Sequence, residues 1–282
     1  MSNALKTTLL LGLLTGLLMW VGQLVGGMQG MTLMLVFAIV MNLGSYWFSD
    51  RIVLAAYGAR ALSEQDAPDL FRVVRELAAG AHMPMPRVYS IASESPNAFA
   101  TGRSPEHAAV AVTEGIMRLL TLDELRGVLA HELSHVRNRD TLISAIAATL
   151  AGVVLMIARM AEWAALFGGL RRDEREEGGG ALGFIFLVVL APLAAMLIQL
   201  AISRAREYQA DASGAQLSHA PRSLASALEK IGAVSGRIPL SAGPATAHLW
   251  IVNPLRGNWL ARLFSTHPPI EERVRRLRAM AY

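Results

Sequence analysis

The sequence predicts a mainly α-helical integral membrane protein: four transmembrane helices joined to an α+β unit with a small sheet and one helix that carries paired histidines. Three observations predict it. The 282 residues are 53% hydrophobic and 17% charged, with a mean hydropathy of +0.39, which is more apolar than a soluble domain usually is. The excess is concentrated in four runs, at 7–26, 31–48, 141–158 and 181–202, each close to the length that crosses ~30 Å of hydrocarbon as a helix. Between the second and third runs the chain reads as soluble and ends in TLDELRGVLAHELSHVRNRD at 121–140, where His131, Glu132 and His135 make HExxH.

The first run, TTLLLGLLTGLLMWVGQLVG, follows Lys6, and the second is followed by Arg51 and Arg60, whereas the link at 26–30 carries no charge. The positive-inside rule puts both outer flanks in the cytoplasm. No small-x-small cleavage site separates the two runs, which argues against a signal peptide, so residues 1–49 read as two spans. Gly12 and Gly16 stand at GxxxG spacing, which predicts a close helix contact.

From Asp50 the pattern changes. A helix is expected from Glu64 to Ala79, a turn at His82–Pro86, and short strands at Val88–Ile91, Phe99–Thr101 and Ala109–Val112. Such a sheet could bind an extended peptide by adding it at an edge. Thr121 followed by Glu124 is a capping box, and Leu125, Val128, Leu129 and Leu133 form an apolar stripe, so a helix starts near Thr121. It is expected to run past Arg137 and Arg139 into the third apolar run.

HExxH places two imidazoles one helical turn apart on one face, a spacing that can hold a metal. A chance match occurs in on the order of one in a hundred chains of this length, and an exposed helix with solvated histidines is the plainer reading of the motif alone. With no cysteine in the chain, zinc would have to use nitrogen and oxygen, and a catalytic site needs three protein ligands plus a water. A metal brings the pKa of water to roughly 7, and Glu132 is placed to take its proton, which is peptide-hydrolysis chemistry.

Connectivity narrows the search for a third ligand. Runs 141–158 and 181–202, the latter kinked by Pro192, are joined by RRDEREEGGG at 171–180. As an antiparallel hairpin they return the chain near Ser203 to the surface beside His135. There Glu207 and Asp211, in SRAREYQADASGA, share a helical face: Glu207 could ligate while Asp211 accepts from the outer nitrogen of a histidine. Pairing of Glu207 with Arg204 or Arg206 and solvation of Asp211 is the competing reading. Thr141 stands where HExxHxxGxxH would need a histidine, and Glu162, 27 residues past His135, would lie about 40 Å along a continuous helix. His82, His107, His219 and His248 sit in no motif. The net charge of +4 comes without aromatics interleaved among the arginines, so it reads as positive charge held on the cytoplasmic side more than as a nucleic-acid surface.

With HELSH, EYQAD and FSTHPPIEER together, the chain resembles the HtpX-type membrane metalloproteases, relatives of the CAAX prenyl proteases, over essentially its whole length. The resemblance implies a zincin-type catalytic unit with one zinc ion per chain, ligands His131, His135 and Glu207, and Glu132 as general base and acid. It matches Asn97, in NAFATG, to a contact on the edge strand that holds the substrate backbone. It matches His267 to a residue at the bound peptide or its developing oxyanion, and Arg273 to the same network. Also implied is an endopeptidase of misfolded or damaged membrane proteins in a bacterial inner membrane, with 50–140 and 203–282 forming a cytosol-facing catalytic domain and 141–202 a transmembrane hairpin. Two rivals stay open here. A non-proteolytic scaffold with a structural metal would lack chelator-sensitive cleavage, and a prenyl-peptide enzyme would prefer farnesylated peptides, although four spans are too few to enclose a large chamber.

Overall fold

The computed structural model describes residues 3–168, 204–235, 251 and 268–280. The first element, α1 (Asn3–Ala56), is one helical run broken at Gly26 and Gly27, where Gly27 has φ +58°. Only glycine takes that conformation without strain, and it folds α1 into two antiparallel arms. Asn42 Nδ2 on the second arm donates to Thr15 Oγ1 on the first at 3.0 Å. Nearer the turn the arms meet at Gly22 and Gly30, where a Cβ on Gly22 would lie 2.5 Å from the Gly30 carbonyl oxygen.

That contact corrects one expectation. A Cβ added at Gly12 or Gly16 meets nothing within 4 Å, so the GxxxG pair makes no close helix contact among the described residues. An antiparallel fold brings together residues equidistant from the turn, and that condition selects Gly22 with Gly30.

Among the described residues one helix, Gly26–Ala56, is long and apolar enough to cross a membrane; Leu11–Gln23 and Asp140–Val154 are apolar but shorter. Val36, Val40, Leu43 and Trp47 are each more than half exposed on the second arm, surface that water would disfavour and hydrocarbon would not. The fourth apolar run and its link lie outside the described residues.

The soluble-looking stretch begins with β1 (Arg60–Ala61) and α2 (Pro68–Gly80). α2 starts four residues later than the sequence suggests. Asp66 accepts from both the amide and the hydroxyl of Ser63, which makes 63–66 a turn, and Pro68 disfavours helical geometry at residue 67. Strands β2 (Arg87–Ile91), β3 (Ala98–Thr101) and β4 (Ala109–Thr113) follow. The sheet order is β1-β2-β4-β3, with β2 and β4 parallel and the outer strands antiparallel to their neighbours, so β3 is an edge.

Both faces of the sheet are covered. Ala98 and Ala100 face a core built with α2 and with α4 (Leu122–Arg137), while Phe99, Ala109 and Ala111 pack against Val53 and Leu54 of α1 and Ala148 of α5 (Asp140–Gly168). A short α3 (Glu114–Leu119) leads into α4. Both bonds of the Thr121–Glu124 capping box are present, and Leu125, Val128, Leu129 and Leu133 are buried.

α4 does not continue into the apolar run as expected. It ends at Arg137, and Arg139, with φ +59°, turns the chain before α5 begins at Asp140. Among the described residues three further helices follow: α6 (Arg204–Ser218), α7 (Pro221–Ser235) and α8 (Ile270–Arg278). Glycines set the approach on two sides of α4. A Cβ on Gly127 would lie 2.9 Å from the Leu224 backbone nitrogen of α7, and one on Gly214 of α6 would lie 2.7 Å from that of His131.

Candidate metal centre

The close approach at Gly214 brings α6 and α4 together side by side. Glu207, Asp211 and Gly214 fall at i, i+4 and i+7, one stripe of α6, and that stripe faces the histidines. His131 Nε2 lies 3.3 Å from His135 Nε2, Glu207 Oε1 3.5 Å from His135 Nε2, and Glu207 Oε2 3.8 Å from His131 Nε2. Zinc bonds of ~2.0–2.2 Å in tetrahedral array put ligand atoms about 3.4 Å apart. The three donors therefore sit at close to the spacing a tetrahedral cation requires.

The outer nitrogens settle which lone pairs face inward. His131 Nδ1 is 2.9 Å from Asp211 Oδ1, and His135 Nδ1 is 3.4 Å from Asp140 Oδ2. In neutral rings each Nδ1 carries the proton and donates to its carboxylate, which leaves both Nε2 atoms as acceptors facing each other. Two opposed lone pairs at that distance need a cation or a proton between them.

Charge balance points the same way. Among the described residues, Glu132, Glu207, Asp211 and Asp140, each at most 5% exposed, lie beside two guanidiniums. Arg273 bonds Asp211 through Nε at 2.8 Å and Nη2 at 2.7 Å, and Arg206 donates to Asp140 at 3.3 Å. Metal ligation needs neutral imidazoles and ionised carboxylates, and a divalent cation would offset the crowding of negative charge that this creates. The donor set therefore fits a metal.

The titration behaviour follows from the crowding of carboxylates. Burial raises the Glu132 carboxyl, with Glu207 adding to it, to about 8. Burial alone would lower His135, but Glu207, Asp140 and Glu132 outweigh it and hold its pKa at about 9. Desolvation dominates at His131, which is lowered despite Asp211. Burial alone would raise Asp211, yet Arg273 and His131 keep it well below the usual carboxylate range.

Glu132 faces the sheet. Its Oε2 accepts from the backbone N–H of Ala100 at 2.9 Å, so the edge strand β3 holds the carboxylate beside the two histidines. Asn97, 1% exposed, stands just before that strand; its amide donates to Thr113 Oγ1, its carbonyl accepts from Thr113, and its Oδ1 accepts from Ala98. Arg273, also 1% exposed, lies against His131, with Nη2 3.5 Å from the ring nitrogens and Nη1 donating to the Ile251 carbonyl at 3.1 Å. His267 lies outside the described residues.

Sequence reasoning missed Asp140 and Arg206. Asp140 is five residues after His135, about 140° away around a continuous helix, and only the turn at Arg139 returns it to the histidine. The RNRD run after the motif was the available signal. Arg206 serves Asp140, and not its sequence neighbour Glu207 as the competing reading had it.

The profile of peptidase family M48 matches residues 64–281. A "Protease HtpX homolog" of Syntrophobacter fumaroxidans is 63% identical over 282 residues, covering 99% of this chain and 100% of that one. Another, from Thermococcus kodakarensis, is 53% identical, covering 98% and 96%. Among solved structures, the crystal structure of S. mikatae Ste24p aligns with a TM-score of 0.51 at 18% identity, over 95% of this chain and 62% of that one. The chain thus spans less than two thirds of that structure, and the likeness is one of fold.

Proposed function

The chain belongs to peptidase family M48 and is a metalloprotease, and from that premise we propose that it is a membrane-bound endopeptidase whose one zinc ion is held by His131, His135 and Glu207. The observation that carries this reading is the convergence of those three donors. Bound zinc supplies a Lewis acid that polarises the scissile carbonyl and brings the pKa of water near 7.

The remaining work falls to the chain's own residues. Asp211 and Asp140 keep the Nδ1 protons of the histidines, so both Nε2 lone pairs stay directed inward. Glu132 takes the proton of the attacking water and passes it to the leaving amine; the Ala100 N–H engages Oε2 and leaves Oε1 for that proton. A substrate backbone adds along β3 in place of the Ile251 N–H that now bonds the Ala98 carbonyl, with Asn97 at the head of the strand. Arg273 serves this site through Asp211. His267 is assigned to the developing oxyanion on the strength of the family motif.

The setting belongs to the same proposal. Four spans, at 7–26, 31–48, 141–158 and 181–202, hold the protein in a bacterial inner membrane, with 50–140 and 203–282 as the cytosol-facing catalytic domain. Edge-strand binding reads backbone more than side chains, which suits misfolded or damaged membrane proteins as substrates.

The purified protein in detergent, with and without chelator, tests this on an unfolded casein. Cleavage should be chelator-sensitive, and Glu132→Gln should keep near-stoichiometric metal while losing on the order of 100-fold or more in rate. Undiminished cleavage by that variant would defeat the mechanism.

A further inference from the structure

Where α1 leaves its apolar stretch, a second cluster of side chains plays no part in the chemistry above. A cavity of about 250 Å³ opens between the end of α1 and the turn after β3, lined by Trp47, Phe48, Arg51, Arg87, Arg103 and His107. The Arg103 guanidinium lies over the Trp47 ring, 4.6 Å from its centroid, and donates to the Trp47 carbonyl at 3.4 Å. It also contacts His107 Nε2 at 2.7 Å. Arg51 lies over Phe48 at 5.6 Å.

Two carboxylates, Asp50 and Glu106, also line this cavity, and each already has a partner. Asp50 pairs with Arg87 at 2.5 Å, and Glu106 is bonded by Ser104. Among the described residues, Arg51 and Arg103 form no ion pair with a carboxylate; each rests on an aromatic face. Two guanidiniums that line one concave space, each resting on an aromatic face, match a phosphate.

Two further observations agree with a bilayer surface at the level of this cluster. Tyr46 and Trp47 close the apolar run edge to face, as interfacial aromatics do. The turn after β3 is tied to the start of α5 by Thr141 Oγ1 donating to the Gly102 carbonyl at 2.9 Å, so both apolar helices meet the soluble unit at this level. From Trp47 the exposed stripe Leu43, Val40 and Val36 runs along one face of α1, at the i−4, i−7 and i−11 positions that an acyl chain would cover.

We propose that this cavity binds the phosphate of an anionic phospholipid, with Arg51 and Arg103 on the headgroup and the stripe above Trp47 on an acyl chain. The inference rests on the reading of α1 as a membrane span. It assigns the cluster a ligand class that the peptidase reaction does not require.

The test uses the full chain. Flotation with pure phosphatidylcholine vesicles first reads membrane insertion, and absence of flotation would sink the membrane reading and this site with it. The protein in detergent micelles is then titrated with short-chain phosphatidylglycerol and, separately, phosphatidylcholine, and retained lipid is counted by native mass spectrometry. Wild type should prefer phosphatidylglycerol by about 10-fold or more, and R51Q/R103Q should lose most of that preference, with flotation, thermal midpoint and casein cleavage unchanged. Trp47→Leu, which removes the stacking face and no charge, should lose a smaller part of it. Inserted protein without preference, or a preference that survives in R51Q/R103Q, overturns the proposal. So does displacement of phosphatidylglycerol by inorganic phosphate at equal concentration, which would make the ligand a free anion.

Discussion

The two histidines of the metal centre are supported in the same way to different degrees. Each donates from Nδ1 to an aspartate, and each aspartate is held by an arginine. On the His131 side the bonds are 2.9 Å to Asp211 and 2.7 and 2.8 Å onward to Arg273, with every member 3% exposed or less. On the His135 side they are 3.4 Å to Asp140 and 3.3 Å to Arg206, whose side chain is 14% exposed and whose Nε and Nη2 are buried with no partner among the described residues. The difference teaches that one support is a closed buried network, strong because every group in it is satisfied. The other is an open one that tolerates loss.

Stability gives the largest contrast. Arg273→Met strips the partner from a buried Asp211 and should cost about 3–5 kcal/mol in denaturant unfolding of the detergent-solubilised protein. Arg206→Met also takes the guanidinium from a buried Asp140, but it removes a longer bond together with two unsatisfied donors and should cost less, about 1–2 kcal/mol. Equal losses would break the comparison. Metal affinity should separate the sides next. Asp211→Asn should weaken metal binding on the order of 10- to 100-fold, and Asp140→Asn by less than about 10-fold, as read by competition with a fluorescent chelator.

The smallest effect sharpens the contrast from outside the centre. Glu124, at the other end of α4, is bonded by Lys230, Ser226 and the Thr121 amide. Burial alone would raise its carboxyl, but those bonds bring it from 4.5 down to about 2. A carboxyl lowered on folding stabilises above its unfolded pKa and loses that contribution as pH falls through its folded one. Glu124→Gln should therefore cost about 1 kcal/mol near neutrality, and its thermal midpoint should converge on that of wild type between pH 4.5 and about 2.

What was legible in the sequence is what local spacing or connectivity fixes. The start of α4 was readable because capping and the apolar stripe both act within one helix. Glu207 and Asp211 could be placed near the histidines because a chain expected to return to the surface it left has few other places to go. Asp140 was hidden because its position depends on one left-handed residue, Arg139, for which periodicity gives no warning. The pairing of Gly22 with Gly30 was hidden as well, since glycine spacing along one helix says nothing about which glycine lies opposite it. The role expected of His267 and the course of the fourth apolar run fall on residues outside those described.

Gly214 gives the arrangement its tolerance. It lies seven residues, about 10 Å, along α6 from Glu207, at the point where the two helix backbones nearly touch. That contact acts as a fulcrum. One methyl group inserted there would prise α6 off α4 and swing the carboxylate at its far end out of reach of the imidazoles, so the finest adjustment of the centre is made by a residue that has no side chain.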